Sequence, residues 1–555
     1  MFRATTQSLI LLLIRCFSSL WSVSSRGWIY DIASACAAAG IREYVVCAGA
    51  RNMPLVAALC ELEQSGDTEE LKVWNHFEER AAGFFALGRT VASGEPCAVV
   101  TTSGTAVAEL LPAVIEAHYQ RRPLVVISAD RPANFRGTGA PQAIEQVGIF
   151  GNYASGCEDV SWSDVIDLLV GWDGVNPWHM NVCVEEADLA SFSENPRLSK
   201  VRIAADGPAR ENIDVRPVLE VVADAWRGLV VMLGGLEPED REEVWHFLRD
   251  LGVPVLADST SGLREVLGKL VIHDGDRILK RQPPANVLRI GEVPVGRFWR
   301  DLEELPNVNV VSLSRTGFAG MARSSKVITG DISRLVRALG SVSHAGDGQD
   351  YLKIAKRPSG KITDLLDSFP ESEPGMVRTL SVMATMGTSL YLGNSLPIRE
   401  WNDFAQCNVP YELVRANRGA NGIDGQIASW LGSTAHAEDA WGVFGDLTAM
   451  YDMSAPSLLG QVECRGRMLV IINNGGGKIF ERLPAVQNLD RRASELVVNT
   501  HANGFRDWAS MWGMNYVCVR GMEEFDFDPA GMTTVVEIIP DSDQTKAFWQ
   551  AWKSI

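Results

Sequence analysis

Short apolar runs alternate with helical patterns along most of this chain, and this alternation restricts the possible folds more than any other feature. In the first half, a helical pattern at 28–40 is followed by apolar runs at 43–49, 123–132 and 179–184, with helical patterns between them. Apolar runs of this length are typical of strands in a parallel sheet, which helices cover on both faces. The sequence therefore predicts an α/β fold built from βαβ units.

The alternation is interrupted twice by polar stretches, which predicts three doubly wound domains with mainly parallel sheets. A length of 555 residues agrees with three or four domains. The predicted linkers lie at about 190–215 and 341–351. The predicted parts are an N-terminal extension at 1–27 and domains at 28–200, 215–340 and 370–555. The middle domain lacks a G-x-G-x-x-G motif, so a Rossmann-like domain without a nucleotide is favoured.

The composition narrows the class of protein. A net charge of −18 without a compensating basic patch argues against nucleic-acid binding. Ten cysteines occur singly and never as CxxC, which predicts reduced thiols in a cytoplasmic protein. The apolar run at 9–14 is followed by Arg15 and is too short to span a bilayer, so an extra amphipathic helix or an upstream start is favoured over export.

Polar residues follow two successive predicted strands of the third domain. The strand at 441–444 leads into Gly445-Asp446, and the strand at 468–472 leads into Asn473-Asn474 and three glycines. Because parallel strands end at a common sheet edge, where ligands of open α/β sheets bind, these side chains are expected to lie close together. Carboxylate and amide oxygens suit Mg²⁺, and glycines let the backbone approach a diphosphate. The alternative is two ordinary strand–helix turns with polar ends.

This pattern resembles the diphosphate–magnesium motif of thiamine-diphosphate enzymes, a Gly-Asp-Gly followed after a helix and a strand by Asn-Asn, although Leu447 replaces the second Gly here. Such a cofactor needs a carboxyl group against its aminopyrimidine nitrogen, in a dry pocket that raises the pKa of that group. Glu79, between a strand and an apolar helix, is the candidate. Glu78 is its competitor, and two surface glutamates are the alternative.

Longer segments resemble one family within this class. FEERAAGFFALG, TTSGTAVAELLPAVIEAHYQRRPLVVISADRP and GAPQAIEQVGIFG resemble its N-terminal domain; LGNSLPIRE, ANRGANGIDG, GDLTAMYD and NNGGGKIFERLP resemble its C-terminal domain. The family is 2-succinyl-5-enolpyruvyl-6-hydroxy-3-cyclohexene-1-carboxylate synthase, or MenD, of menaquinone and phylloquinone biosynthesis. The resemblance runs from roughly residue 43 to 484 and implies a pyrimidine-binding domain, a middle Rossmann-like domain and a diphosphate-binding domain.

The resemblance also implies the cofactor site. Glu79 would be the catalytic glutamate, and the side chains of Asp446 and Asn474 with the backbone of Gly476 would bind Mg²⁺, which Mn²⁺ can replace. Ile423 would prop thiamine diphosphate into a bent shape, although an ordinary core residue is the alternative. The implied cofactor-binding residues are Glu79, Ser395, Ile423, Gly445, Asp446, Leu447, Asn474, Gly476, Gly477 and Ile479.

The implied reaction makes the protein a transferase. It joins decarboxylation of 2-oxoglutarate to 1,4-addition of the resulting succinyl-semialdehyde carbanion to isochorismate. Both substrates carry two carboxylates, which arginine binds through two parallel hydrogen bonds. Arginines at turns and strand ends are therefore expected to bind substrate. The implied substrate-binding residues are Arg51, Arg131, Gln142, Arg297, Ser395, Arg399, Arg418, Ile479, Phe480 and Leu483, with Arg297 the loosest match.

Several positions depart from the family pattern. The first turn reads Ala48-Gly49-Ala50-Arg51 where the family usually has Pro-Gly-Ser-Arg, so a hydroxyl near a substrate carboxylate is absent. Gly475 replaces Asn or Asp, and Lys478 replaces Gln or Gly. These departures concern substrate affinity more than cofactor binding. None of the eight histidines has a triad or metal-ligand spacing, and His76, near Glu79, is expected to be packed or at the surface.

Two alternative functions remain at this point. One is another thiamine-diphosphate-dependent 2-oxoacid carboligase or decarboxylase, similar to acetolactate synthase, but pyruvate requires fewer cations than these arginines supply. The other is a non-catalytic homologue, which intact Glu79, Asp446 and Asn474 disfavour. In this superfamily the two halves of the site meet across a subunit interface, which implies a homodimer at least and allows a homotetramer. No nucleic-acid partner and no membrane span are expected.

Overall fold

The computed structural model describes residues 28–65, 71–161, 168–184, 213–342, 358–384, 388–406, 410–463, 466–525 and 531–554. The predicted extension at 1–27 and most of both predicted linkers lie outside the described residues. The chain forms two compact units, one containing 1–209 with 431–433 and the other containing 210–430 with 434–555. Compactness thus does not separate the predicted middle and third domains, and their boundaries stay predictions.

The first sheet has six parallel strands in the order β2-β1-β3-β4-β6-β5. Its strands are β1 (Glu43–Val46), β2 (Lys72–Asn75), β3 (Cys97–Thr101), β4 (Leu124–Asp130), β5 (Cys157–Val160) and β6 (Trp178–Cys183). Its helices are α1 (28–38), α2 (Met53–Ser65), α3 (Glu79–Ser93), α4 (Thr105–Ala108) and α5 (Leu111–Gln120). β3 and β4 are buried along their whole length, as expected of central strands covered on both faces.

The second sheet has five parallel strands in the order β11-β10-β9-β7-β8. Its strands are β7 (Leu229–Leu233), β8 (Val255–Ala257), β9 (Asn286–Ile290), β10 (Asn309–Ser314) and β11 (Lys326–Thr329). Its helices are α6 (Arg216–Ala223), α7 (Arg241–Leu251), α8 (Gly275–Arg281), α9 (Arg297–Asp301) and α10 (Ile332–Leu339). This sheet belongs to the same compact unit as the third.

The third sheet has six parallel strands in the order β13-β12-β14-β15-β17-β16. Its strands are β12 (Ser389–Leu392), β13 (Leu413–Arg415), β14 (Ala440–Gly445), β15 (Arg467–Ile472), β16 (Asn515–Val519) and β17 (Thr534–Ile538). The helices of this part are α11 (Pro358–Ser368), α12 (Glu373–Met383), α13 (Leu396–Phe404), α14 (Gln426–Ser433), α15 (Asp446–Tyr451), α16 (Pro484–Gln487), α17 (Arg491–Val498), α18 (Arg506–Met511) and α19 (Ser542–Trp552).

The predicted α/β class with mainly parallel sheets is confirmed. The strand predicted at 43–49 ends earlier, at Val46. The side chain of Asn52 is the reason: it accepts a hydrogen bond from Gly49 N at 2.8 Å and donates one to Cys47 O at 2.8 Å. These bonds satisfy backbone groups that a longer strand would pair with its neighbours, so the chain turns at this point.

Two further observations concern the described residues. All of their cysteines have free thiols: Cys36, Cys47, Cys60, Cys97, Cys157, Cys183 and Cys518. No helix among them is both long enough and apolar enough to cross a bilayer.

Candidate functional site

Asp446 lies where β14 ends, and its carboxylate is held by backbone N–H groups. Its Oδ2 accepts hydrogen bonds from Gly475 N and Gly476 N, both at 2.9 Å, and its Oδ1 accepts one from Leu447 N at 2.7 Å. Burial raises the pKa of Asp446, whereas the N–H donor of Gly476 acts in the opposite direction. The carboxylate thus joins the ends of β14 and β15 while Oδ1 keeps lone pairs for a further ligand.

His501, which no sequence pattern predicted, also lies beside this carboxylate. Its Nδ1 accepts a hydrogen bond from Asn503 N at 3.2 Å, so the ring proton of the neutral imidazole is on Nε2. Nε2 lies 3.2 Å from Asp446 Oδ2, without the alignment of a full hydrogen bond. No local signal marked His501, because it follows Asp446 at a distance in the chain and has no motif spacing.

Asn474 provides a second oxygen at the same edge. Its Nδ2 donates to Glu373, lying 3.0 Å from Oε1 and 3.1 Å from Oε2. Its Oδ1 is buried and makes no hydrogen bond within the described part of the chain. A buried carbonyl oxygen without a donor is costly unless a cation or another ligand satisfies it. Asp446 and Asn474 therefore fit a divalent cation.

The chemical type of the available ligands also agrees with a divalent cation. Within the described ranges, no cluster of three His, Cys, Asp or Glu could hold a metal ion. A cation at this edge would thus depend on one carboxylate, one amide and backbone carbonyls, the hard oxygen ligands that suit Mg²⁺.

The glycine turn after Asn474 packs against the backbone of residues 498–501. Gly477 N donates to Val498 O at 2.6 Å, and His501 N donates to Gly475 O at 3.2 Å. Gly476 has φ +134°, and a Cβ there would lie 2.7 Å from Val498 O. Any larger residue would push this backbone apart, so the close approach explains the glycine.

Two arginines form a cationic group on the third sheet. Arg399 is half-buried and donates from Nη1 to Ser395 O at 2.9 Å. Burial lowers its pKa, and the charges of Arg418 and Arg300 lower it further. Neighbouring guanidinium groups repel one another, and a bound anion reduces this repulsion. The pair of Arg399 and Arg418 is therefore suited to binding a carboxylate.

Asn394, which no sequence pattern predicted as a site residue, holds the loop that carries Arg418. It accepts a hydrogen bond from Arg418 Nη1 at 2.9 Å, and its Nδ2 donates to Asn417 O and Gly422 O, both at 2.8 Å. The backbone N of Asn394 donates to Gln426 Oε1 at 2.8 Å. Half-buried Ile423 lies in the same loop.

The other residues predicted at the carboxyl edge of the third sheet include one polar and three apolar side chains. Ser395 has φ +75° without being glycine, a strained conformation that is typical of functional sites. Ile479 is half-buried, whereas Phe480 is 40% and Leu483 is 46% exposed. Exposed apolar side chains beside a polar edge fit a ligand wall or a subunit contact.

In the first unit, the structure distinguishes Glu79 from Glu78. Glu78 caps α3, since its side chain accepts from Arg80 N at 3.0 Å and Ala81 N at 3.2 Å. Glu79 is half-buried; burial raises the pKa of its carboxyl group, and the negative charges of Glu78 and Glu109 raise it further. His76 is buried and accepts a hydrogen bond from Glu78 N at 2.9 Å, which agrees with the predicted packed role.

The polar substrate residues predicted in the first unit lie on turns. Arg51 donates to Val184 O at 2.9 Å, and Arg131 donates from Nε to Pro141 O at 3.0 Å. Gln142 is exposed and has φ +57°, a conformation uncommon outside glycine. A Cβ at position 104 would lie only 3.2 Å from the Cα of Gln142. Because residue 104 is glycine, the turn that carries Gln142 can pack against it without a steric clash.

Arg297 has different surroundings from the other predicted arginines. Its Nε lies 3.1 Å from Asp301 Oδ1, and its backbone N donates to Asp276 Oδ2 at 2.6 Å. It lines a cavity of about 970 Å³, and none of the other predicted site residues lines that cavity. Arg300, one turn later, is the residue of this helix whose charge acts on Arg399. The substrate role of Arg297 stays a prediction.

Comparisons with known proteins agree with this geometry. Residues 30–149 match the family described as "Thiamine pyrophosphate enzyme, N-terminal TPP binding domain". A 2-succinyl-5-enolpyruvyl-6-hydroxy-3-cyclohexene-1-carboxylate synthase of Akkermansia muciniphila is 47% identical, over 94% of this chain and 98% of the relative. Synthases with the same name from Bdellovibrio bacteriovorus and Chloroflexus aurantiacus are 38% and 32% identical, over 96% and 88% of their lengths. The chain therefore belongs to the 2-succinyl-5-enolpyruvyl-6-hydroxy-3-cyclohexene-1-carboxylate synthase family of thiamine-diphosphate-dependent transferases.

Proposed function

We propose that this protein catalyses the synthase reaction of its family in menaquinone biosynthesis: decarboxylation of 2-oxoglutarate and 1,4-addition of the four-carbon product to isochorismate. One observation carries the proposal. The third sheet bears both an oxygen pair suited to a cation, Asp446 and Asn474, and an arginine group suited to carboxylates, Arg399 and Arg418. A cofactor site alone would serve any thiamine enzyme, whereas the arginines match substrates with two carboxylates each.

The proposed cation is Mg²⁺, with Mn²⁺ as a substitute. Its ligands are Asp446 Oδ1, Asn474 Oδ1 and the carbonyl oxygen of Gly476. Asn474 Oδ1 has no donor among the described residues, and Asp446 Oδ1 has one, whereas Asp446 Oδ2 already has two and the contact with His501.

Thiamine diphosphate, when bound, supplies a nucleophilic thiazolium carbon and an electron sink for decarboxylation. Glu79 holds a proton near the aminopyrimidine nitrogen, a role that its raised pKa favours because the neutral acid then persists at higher pH. Arg399 and Arg418 bind substrate carboxylates, and Arg51, Arg131 and Gln142 are further proposed substrate-binding residues. Ile479, Phe480 and Leu483 exclude water from the reacting groups.

The proposed assembly is a cytoplasmic homodimer, which can associate further into a tetramer. Exposed apolar side chains beside each half of the site support a subunit contact. Phe77, next to the strand that leads to Glu79, is 66% exposed, and Phe480 and Leu483 are exposed next to the glycine turn. Free thiols on the described cysteines agree with a reducing compartment.

The purified chain with thiamine diphosphate and Mg²⁺ tests the function directly. We expect 2-oxoglutarate-dependent loss of isochorismate absorbance. Turnover of pyruvate but not 2-oxoglutarate would indicate a carboligase similar to acetolactate synthase. No cofactor-dependent turnover of any 2-oxoacid would indicate a non-catalytic homologue.

A further inference from the structure

Glu373 contacts Asn474, one of the proposed metal ligands, although 101 residues separate them in the chain. Glu373 is the first residue of α12 and is only 2% exposed. Both of its carboxyl oxygens lie within hydrogen-bond distance of Asn474 Nδ2, at 3.0 and 3.1 Å. This contact uses the nitrogen end of the amide and leaves the oxygen end for another partner.

The orientation of an amide decides whether it can bind a cation. With Nδ2 toward Glu373, Asn474 Oδ1 points away and makes no hydrogen bond within the described residues. The reversed amide would set Oδ1 against two carboxyl oxygens and would turn N–H donors toward the cation. We propose that Glu373 is a positioning residue that fixes the amide of Asn474 with Oδ1 toward the metal. This inference rests on the proposed metal site.

Glu373 is itself held firmly. Its backbone N donates to Thr545 Oγ1 at 3.0 Å, and the preceding Ser372 caps the helix by accepting from Gly375 N at 3.2 Å. The charge of Arg482, which donates from Nη2 to buried Glu400 at 2.5 Å, also acts on the Glu373 carboxyl group. A partner whose backbone is fixed in this way can hold an amide in one orientation.

The chain offers variants that separate positioning from simple packing. E373A removes the acceptor, and E373Q keeps one acceptor oxygen. E371A is a matched control, because Glu371 lies two residues earlier and accepts instead from Gln544 Nε2 at 2.8 Å. N474A removes the amide through which Glu373 is proposed to act.

The measurement is Mn²⁺ binding in the presence of thiamine diphosphate, from the electron paramagnetic resonance signal of free Mn²⁺. We expect the Kd for Mn²⁺ to rise by about 10–100-fold in E373A. E373Q should show a smaller rise, and E371A should bind like the parent. Turnover should show a higher KM for the metal with kcat largely restored at saturation. Melting curves without metal establish whether each variant folds. If E373A does not fold, the binding measurement on E373Q tests the inference.

The double variant gives the decisive comparison. If Glu373 acts only through Asn474, adding E373A to N474A leaves the Kd for Mn²⁺ within about twofold of N474A alone. Parent-like binding by folded E373A and E373Q, or a further full loss in the double variant, would overturn the inference. Parent-like binding by N474A would instead show that the proposed metal site is wrong.

Discussion

The first and third sheets have the same topology but different residues at their strand ends. The order β2-β1-β3-β4-β6-β5 of the first sheet recurs as β13-β12-β14-β15-β17-β16 in the third. In each, the chain proceeds to one side and then crosses to the other, between β1 and β3 or between β12 and β14. That crossing point is where open α/β sheets bind ligands.

The residues after equivalent strands differ in chemistry. β14 is followed by Asp446 and β15 by Asn473-Asn474, whereas β3 and β4 are followed by Thr102 and Arg131. The first sheet does have an aspartate at this edge, Asp130, but it pairs with Arg136 at 3.0 Å. Topology thus provides the place for a ligand, and the side-chain oxygens that keep lone pairs after their internal hydrogen bonds determine which ligand fits.

Glu79→Gln should have the largest effect and tests whether the first unit supplies the proton chemistry. We expect kcat to fall by about 10²–10⁴-fold, since a general acid–base group is removed. Binding of Mg²⁺ and thiamine diphosphate should remain close to that of the parent. Glu78→Ala is the matched control: loss of the cap should cost about 1 kcal/mol of stability, and kcat should fall far less than in Glu79→Gln. Normal turnover by Glu79→Gln would refute its role.

Asp446→Asn and Asp130→Asn compare the roles of the strand-end aspartates in the third and the first sheet. We expect Asp446→Asn to weaken metal-dependent binding of thiamine diphosphate by about 10–100-fold, measured by calorimetry. Asp130→Asn should leave that affinity unchanged and lower the free energy of unfolding by about 2 kcal/mol, because it breaks a buried ion pair. Equal effects on cofactor affinity would remove the distinction between the sheets.

Arg399→Gln tests the anion site of the third sheet. Loss of charge-assisted hydrogen bonds should lower kcat/KM for a dicarboxylate substrate by about 10–100-fold. Thiamine-diphosphate affinity should change little. Arg378→Gln is the control, since Arg378 pairs with exposed Asp367 at 2.8 Å. An unchanged kcat/KM for both 2-oxoglutarate and isochorismate would contradict the assignment of Arg399.

The second sheet offers a separate test through Asp258, which follows β8. Asp258 is 2% exposed and accepts from Val295 N at 2.6 Å, and burial raises its pKa from 3.8 to about 7. Between pH 4 and 7 the unfolded chain loses this proton while the folded protein keeps it. Stability should therefore fall as pH rises, by about 1.4 kcal/mol per unit at most. Denaturant titrations of Asp258→Asn should show a flatter pH dependence across this range.

Sequence patterns predicted two central strands of the third sheet well and missed two of the edge strands. The strands expected at 441–444 and 468–472 are present as Ala440–Gly445 and Arg467–Ile472, because both are nearly continuous apolar runs. β5 (Cys157–Val160) and β11 (Lys326–Thr329) were not predicted. Both are short edge strands with partly exposed side chains, so their composition carries little signal.

The candidate site shows a similar limit. Strand-end chemistry predicted Asp446 and Asn474, and family resemblance predicted the arginines and Glu79. The residues that hold them, Asn394, Glu373 and His501, had no local pattern, because their partners are distant in the chain. Contacts of this kind emerge only once the sheet brings separate strand ends together.

The hydrogen bonds between the glycine turn and residues 498–501 also constrain the order of events during synthesis. Gly475 and Gly477 each exchange a backbone hydrogen bond with this later segment, so the turn cannot reach its final shape until the ribosome has released about residue 501. A nascent chain that ends before this point carries Asp446 and Asn474 without the backbone against which the glycine turn packs. Truncated translation products of this length should therefore fail to capture the cofactor.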